Sequence, residues 1–291
     1  MNTNLISVQH LQNNLYTGTG KRMITSTSNQ QMKTIIQLNK KAKARRELRA
    51  FIVEGPKMVA ETPRELLQRV YVSEHFADDA SGQALLLDLG IDYEVVSDTV
   101  FAHVSDTSTP QGILAVVHMP EYAFPDLMRG ADTRLLVLED IQDPGNLGTM
   151  FRTGEGAGIS GIIMTKGTVD LFAPKTVRAT MGSIYRVPFY VTDDLGETLG
   201  RLRDAGVHTY AAHLRGEKYY DELNLTGKCA FLIGNEGNGL RQETADLADS
   251  YLKIPMEGKL ESLNAAMAAG ILMYEAHRQS RQGEVIRAHM V

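Results

Sequence analysis

The chain has one cysteine, Cys229, among 291 residues. A lone thiol forms neither an internal disulfide nor a zinc site, so nothing here demands an oxidising compartment. The apolar residues around Cys229 point to a buried, inert thiol. Long hydrophobic runs are also missing: the most apolar segment, residues 263–273, is alanine-rich and shorter than the roughly 18 residues of a membrane helix. Residues 1–32 contain no acid and no sustained periodicity. Rich in Asn, Gln, Ser and Thr, they read as a mostly disordered tail, and one Lys with one Arg make a poor transit peptide. The "TGTGKR" within them is no phosphate loop, because Arg22 stands where Ser or Thr is required. These absences predict a cytoplasmic globular protein with no metal and no membrane contact, long enough for two domains.

What is present is unevenly spread. The net charge is -5, yet residues 33–64 hold nine Lys or Arg against Glu47, Glu54 and Glu61. Lys40, Lys41, Lys43, Arg45, Arg46 and Arg49 therefore read as one exposed helix face, either merely solvated or in contact with nucleic-acid phosphates. From residue 33 strands and helices alternate: "FIVEG" at Phe51, "RVYVSE" at Arg69, "DYEVV" at Asp92 and "GILAVVHM" at Gly112 are strand candidates of a small α/β sandwich spanning residues 33–119. Residues 120–133, with two prolines and a glycine, read as a linker. Strand candidates at Arg134, Gly161, Val187, Val207, Lys228 and Ser250 follow, so residues 134–291 read as a mainly parallel sheet covered on both faces.

In such sheets ligands sit beyond the carboxyl ends of strands. "CAFLIGNEGNGL" ends a buried strand on Gly234, Asn235, Glu236, Gly237, Asn238 and Gly239, more small residues than a turn needs, before Leu240 opens a helix. A second strand-end loop is "DIQDPGNLGTMFRTGEGAG". There Asn146 can cap a helix starting near Leu147, and Arg152 and Glu155 lie three apart, as a local ion pair would. Its "GEGAG" comes too late after the strand for a dinucleotide fingerprint and suits a helix end, which leaves a nicotinamide-dependent oxidoreductase as a remote alternative. In the third loop, "IPMEGKLESLNAAMAAG", Ser262 reads as the start of a long helix whose Ala265, Ala266, Ala268, Ala269 and Gly270 permit close approach of another backbone.

Taken together, Asn146-x-Gly148 with Arg152, Gly234-Asn235-Glu236-Gly237 with Gly239-Leu240, and Ile254-Pro255-Met256 with Ser262-Leu263-Asn264 closely resemble the three motifs of the SpoU (TrmH) branch of the SPOUT methyltransferases. The likeness covers residues 131–280. Upstream, "RRELRAFIVEGPKMVAE" and "SDTSTPQGILAVV" resemble the ribosomal-protein-like substrate-binding domain of many ribosomal RNA members. One departure is that Met267 and its Ala neighbours follow Asn264 where many relatives carry Val or Ser.

The resemblance implies an α/β knot, a parallel sheet whose C-terminal segment threads a loop as a trefoil. It also implies a homodimer that transfers methyl from S-adenosylmethionine to a ribose 2'-hydroxyl of RNA. Ribosomal RNA is the first expectation and transfer RNA the second; a binding or assembly protein that has lost catalysis is the alternative from another class. Carried over by motif, Leu232, Gly234, Asn235, Gly237, Gly239, Ile254, Pro255, Met256 and Leu263 would hold the cofactor. Arg152 would hold the adjacent phosphate and polarise the hydroxyl, Asn146 and Glu236 would orient Arg152 and the ribose, and Ser262 and Asn264 would complete the pocket. Beside such a domain, the basic segment from Lys40 to Arg49 is expected to contact RNA.

Overall fold

The computed structural model describes residues 23–288 except Ala131 and Glu261, with side chains to Gln282. The chain divides into two compact units: residues up to Met119 with Phe172–Pro174, and Pro120–Leu171 with Lys175 onward. The first 22 residues of the expected tail lie outside the described residues. Its end is corrected, because Ile24 is buried and bridges Val96, and a helix begins at Gln30 with Asn29 as N-cap.

The first unit contains α1 (Gln30–Lys40), α2 (Ala42–Leu48), β1 (Ala50–Glu54), α3 (Pro56–Ala60), β2 (Leu67–Ser73), α4 (Glu74–Asp78), α5 (Ala80–Leu89), β3 (Tyr93–Val96), α6 (Asp98–Val104) and β4 (Ile113–His118). Its four strands lie in the order β1-β4-β2-β3. β4 pairs antiparallel with both neighbours, while β2 and β3 run parallel. Residues 113–117 of β4 are all buried, so both faces of the sheet are covered. On one face Met32, Ile35 and Leu38, spaced by three along α1, join Val100, Phe101 and Val104 of α6 over Ile52, Tyr71 and Leu114.

The second unit contains β5 (Arg134–Leu138), α7 (Pro144–Ala157), β6 (Gly161–Thr165), α8 (Pro174–Thr180), β7 (Phe189–Thr192), α9 (Leu195–Asp204), β8 (His208–Ala212), β9 (Lys218–Tyr219), β10 (Cys229–Ile233), α10 (Gln242–Asp246), β11 (Ser250–Lys253) and α11 (Ala265–Ala288). All its pairings are parallel, in the order β7-β6-β5-β10-β8-β11-β9. β5, β6 and β10 are near-continuous apolar runs because both faces are buried. The chain leaves β5 toward one edge, crosses to β8, and later inserts β10 between β5 and β8. Such a reversal opens a crevice at the carboxyl ends of the strands. Cys229, 2% exposed, sits in this core, and burial pushes its thiol up to about 12.

One expected boundary shifts, and one open choice about packing is narrowed. Residues 120–133 are no bare linker: a 3-10 helix at Phe124–Met128 buries Phe124 and Leu127 in the second unit's core. The alanine-rich face of α11 is spent within the chain. Ala265, Ala266, Ala269 and Ala276 are buried, and α11 packs on α7, where a Cβ on Gly270 would make ordinary contact with Thr153 Cγ2 at 3.5 Å.

Candidate active site

The loop after β10 explains its own glycines. Gly234, at the start of the turn, faces Gly239 and Leu240, whose backbone atoms a Cβ would overlap. Gly239 adopts φ +68°, a left-handed conformation that glycine takes without strain. Asn235 Oδ1 accepts from the Gly237 and Asn238 amides at 2.9 and 3.1 Å, and its Nδ2 donates to the Asp140 carbonyl at 2.9 Å. The loop is thus folded on itself and tied to the end of β5. Leu240 does not open a helix as expected; it is buried, and α10 starts at Gln242.

Glu236 reaches across to the loop after β5. Its carboxylate accepts from the Gln142 amide at 2.9 Å, the Asp143 amide at 3.0 Å and Asn146 Nδ2 at 3.0 Å. Desolvation raises its pKa, but these hydrogen bonds outweigh it and hold the carboxyl below the usual carboxylate range. A depressed folded-state pKa makes this tether fully present above the ordinary carboxylate range and lost as the pH falls through the folded value. Asn146 Oδ1 in turn accepts from Asn264 Nδ2 at 2.9 Å. One polar relay, Asn264 to Asn146 to Glu236, therefore joins all three strand-end loops.

Both helix starts differ from expectation. Asp143, not Asn146, caps α7 through Oδ1 to the Asn146 amide at 2.8 Å, with Pro144 in the first turn. Asn146 is thereby free to spend both ends of its amide on the relay. Asn264, not Ser262, caps α11 by accepting from the Ala266 and Met267 amides at 2.9 and 3.2 Å. Gly158, at φ +68°, ends α7, as the late glycines required.

Arg152 lies on α7 six residues beyond Asn146. It is exposed and makes no hydrogen bond or ion pair with any described residue. The alternative of a local pair with Glu155 does not hold: Glu155 is taken by Arg186 at 2.5 Å and by Ser183 Oγ at 2.5 Å. The hydrogen bond from Arg186 is the main reason that the Glu155 carboxyl lies below its usual range. Neither Asn146 nor Glu236 touches Arg152, so any orientation they impose acts through the helix.

A cavity of about 360 Å³ lies against the ends of β8, β10 and β11 and the loops that follow β10 and β11. Of the residues expected to hold a cofactor, Gly234, Asn235, Gly237, Gly239, Ile254, Met256 and Leu263 line it, together with Glu236 and Ser262. Leu232 and Pro255 do not; Leu232 is fully buried inside the sheet. The strand ends at His213 and Lys253 also line the cavity and were missed, having no glycine or motif to mark them. In the first unit Lys40, Lys41, Lys43, Arg46 and Arg49 are exposed, but Arg45 is not. Only 4% exposed, it donates to the Leu38 and Asn39 carbonyls at 2.5 and 3.2 Å, satisfying carbonyls that the end of α1 leaves without helical partners.

Residues 133–274 match the model of the SpoU rRNA Methylase family, and residues 29–115 that of the MRM3-like substrate binding domain. The 23S rRNA (guanosine(2553)-2'-O)-methyltransferase RlmP of Bacillus subtilis is 35% identical over 253 residues, 87% of this chain and 98% of that protein. The chain belongs to the SpoU family. Among solved structures, an rRNA methyltransferase from Sinorhizobium meliloti superposes with a TM-score of 0.76 at 31% identity, covering 88% of this chain and 97% of that one. The AdoMet-bound structure described for that organism's rRNA methyltransferase gives a TM-score of 0.75 at 30% identity, with the same coverage. This SpoU chain presents a cavity suited to the same cofactor. Its volume falls in the roughly 300–1,000 Å³ range of small-molecule sites. Ile233, Leu240, Leu252, Ile254, Met256 and Leu263 give it apolar walls, and the glycine loop brings bare backbone to its edge.

Proposed function

We propose that this chain transfers the methyl group of S-adenosylmethionine to a ribose 2'-hydroxyl of ribosomal RNA. The observation that carries the reading is the convergence of the loops after β10 and β11 on one cavity, with the loop after β5 tied to both by the Asn264–Asn146–Glu236 relay and Arg152, exposed and without a partner among the described residues, on the helix that follows it. The glycine loop, Ile254, Met256 and Leu263 hold the cofactor, which supplies an electrophilic methyl sulfonium. Arg152, whose guanidinium offers donors and no acceptor, is no simple base. It holds the phosphate next to the ribose and stabilises negative charge as the hydroxyl oxygen attacks. Ionised Glu236 pins the backbone before α7 and the amide of Asn146, and so fixes where Arg152 projects two turns on. Ser262 and Asn264 close the pocket on the ribose side.

The ribosomal assignment is supported by the match of residues 29–115 to a substrate-binding domain, whose exposed Lys40, Lys41, Lys43, Arg46 and Arg49 meet phosphates. A ribosomal substrate goes with a location in the cytoplasm. Family likeness extends the reading to a knotted C-terminal segment and a homodimer. Met267 and Tyr274, seven apart on α11 and 60% and 50% exposed, are apolar surface that a second copy would cover. The test is transfer of labelled methyl to unmodified ribosomal and transfer RNA transcripts, followed by nucleoside analysis. A 2'-O-methyl nucleoside in ribosomal RNA is expected; label on a base or on transfer RNA alone would overturn the assignment.

A further inference from the structure

Three contacts set α7 beside α8 and the 3-10 turn that follows it. Lys175 Nζ lies 3.9 Å from Asp143 Oδ2. One turn on, a Cβ at Gly148 would overlap Ala179. Further along, Glu155 Oε2 accepts from Ser183 Oγ at 2.5 Å and Glu155 also binds Arg186. The partners advance together, 143 to 155 against 175 to 186, so the two segments run side by side in one direction for about 18 Å at 1.5 Å per residue.

Arg152 belongs to this seam. It follows Gly148 by four residues and precedes Glu155 by three, the two spacings that keep helix residues on one face. The cations are therefore strung along the seam, Lys175 at its start and Arg152 toward its end. The carboxylates nearest them are already engaged. Glu155 is spent on Ser183 and Arg186, and Asp143 caps α7 through its other oxygen. The Lys175–Asp143 pair is long, and its side chains are 68% and 49% exposed, so water screens most of it. Asp143 also donates its amide to Glu236 at 3.0 Å, which places Lys175 at the rim of the relay.

We propose that the seam between α7 and α8 is a track for the RNA phosphodiester backbone, with Lys175 as a substrate-positioning residue that holds a phosphate flanking the one at Arg152. A row of separated cations whose neighbouring carboxylates are already engaged suits a polyanionic strand, whereas a single small anion would want its donors clustered. The proposal rests on the ribose methyltransferase reading.

The test compares the full chain with Lys175→Gln, Lys175→Glu and, as an equal change of charge at the opposite, amino end of β10, Lys228→Gln. Melting temperature and S-adenosylmethionine affinity are expected to stay as in the wild type. Lys175→Gln should weaken RNA binding about tenfold and lower the slope of log affinity against log salt by about 0.7–1, one phosphate's share. KM for RNA should rise by a similar factor with kcat at saturating RNA nearly unchanged, Lys175→Glu should exceed both effects, and Lys228→Gln should show neither. Unchanged RNA affinity and salt slope in both Lys175 variants would overturn the track. Those two readouts need no turnover, so wild-type protein that binds RNA yet transfers no methyl would instead overturn the methyltransferase reading and leave the track to be judged by its slope.

Discussion

The glycine loop after β10 and the basic segment around α2 are both conspicuous in the sequence, and they behave differently in the structure. In the loop, the residue types answer demands of the backbone: Gly234 lies under Gly239 and Leu240, and Gly239 has a positive φ. In the basic segment, six charges look alike, yet Arg45 turns inward to cap α1 while Lys40, Lys41, Lys43, Arg46 and Arg49 stay in water. A residue demanded by backbone geometry announces its place. A charge announces only that it needs a partner, which a helix end provides as well as a phosphate does.

Alanine substitutions within the loop sharpen the first half of the comparison. Gly234→Ala meets backbone that cannot swing aside and should cost about 1–3 kcal/mol or more, with cofactor binding abolished alongside stability. Gly239→Ala has space but the wrong φ and should cost about 1–2 kcal/mol. Gly237→Ala, where the nearest atom is Asn235 Oδ1 at 3.5 Å, should stay within about 0.5 kcal/mol. Thermal melts of the three variants read this order, and equal shifts would break the argument from geometry.

Smaller effects divide the basic segment. Arg45→Ala should cost the first unit about 1.5–3 kcal/mol, the range for hydrogen bonds to charged groups, and leave the salt dependence of RNA binding alone. Lys40→Gln with Arg46→Gln should do the reverse, sparing the melting temperature while lowering the salt slope by about 1 for each phosphate no longer held. If Arg45→Ala alone flattened the slope, its inward reading would fail.

The central strands were legible because strands buried on both faces are written as apolar runs, as β5, β6 and β10 are; β1–β4, β7, β8 and β11 also fall on the strand candidates, marked by β-branched and aromatic residues. β9 was missed, since Lys218 and Tyr219 are two exposed residues with no pattern of their own. Helix starts were placed late at α1 and near Asn146 and early at Ser262, because Asn, Asp and Ser cap equally well and the sequence does not say which side chain is needed elsewhere. Phe124 and Leu127 were hidden among prolines that looked like a linker. His213 and Lys253 reach the cavity only because β8 lies beside β10 and β11 beside β8, a fact of strand order rather than of local sequence.

The central claim is that cofactor holding belongs to the loops after β10 and β11 and transfer to Arg152. Calorimetric S-adenosylmethionine binding and labelled methyl transfer, measured on wild type and Arg152→Ala under the same conditions, test it most directly. The account predicts cofactor affinity within about twofold and transfer lower by about 10²–10³, the usual loss on removing one preorganised charge-stabilising donor. Full transfer by Arg152→Ala would remove Arg152 from the mechanism.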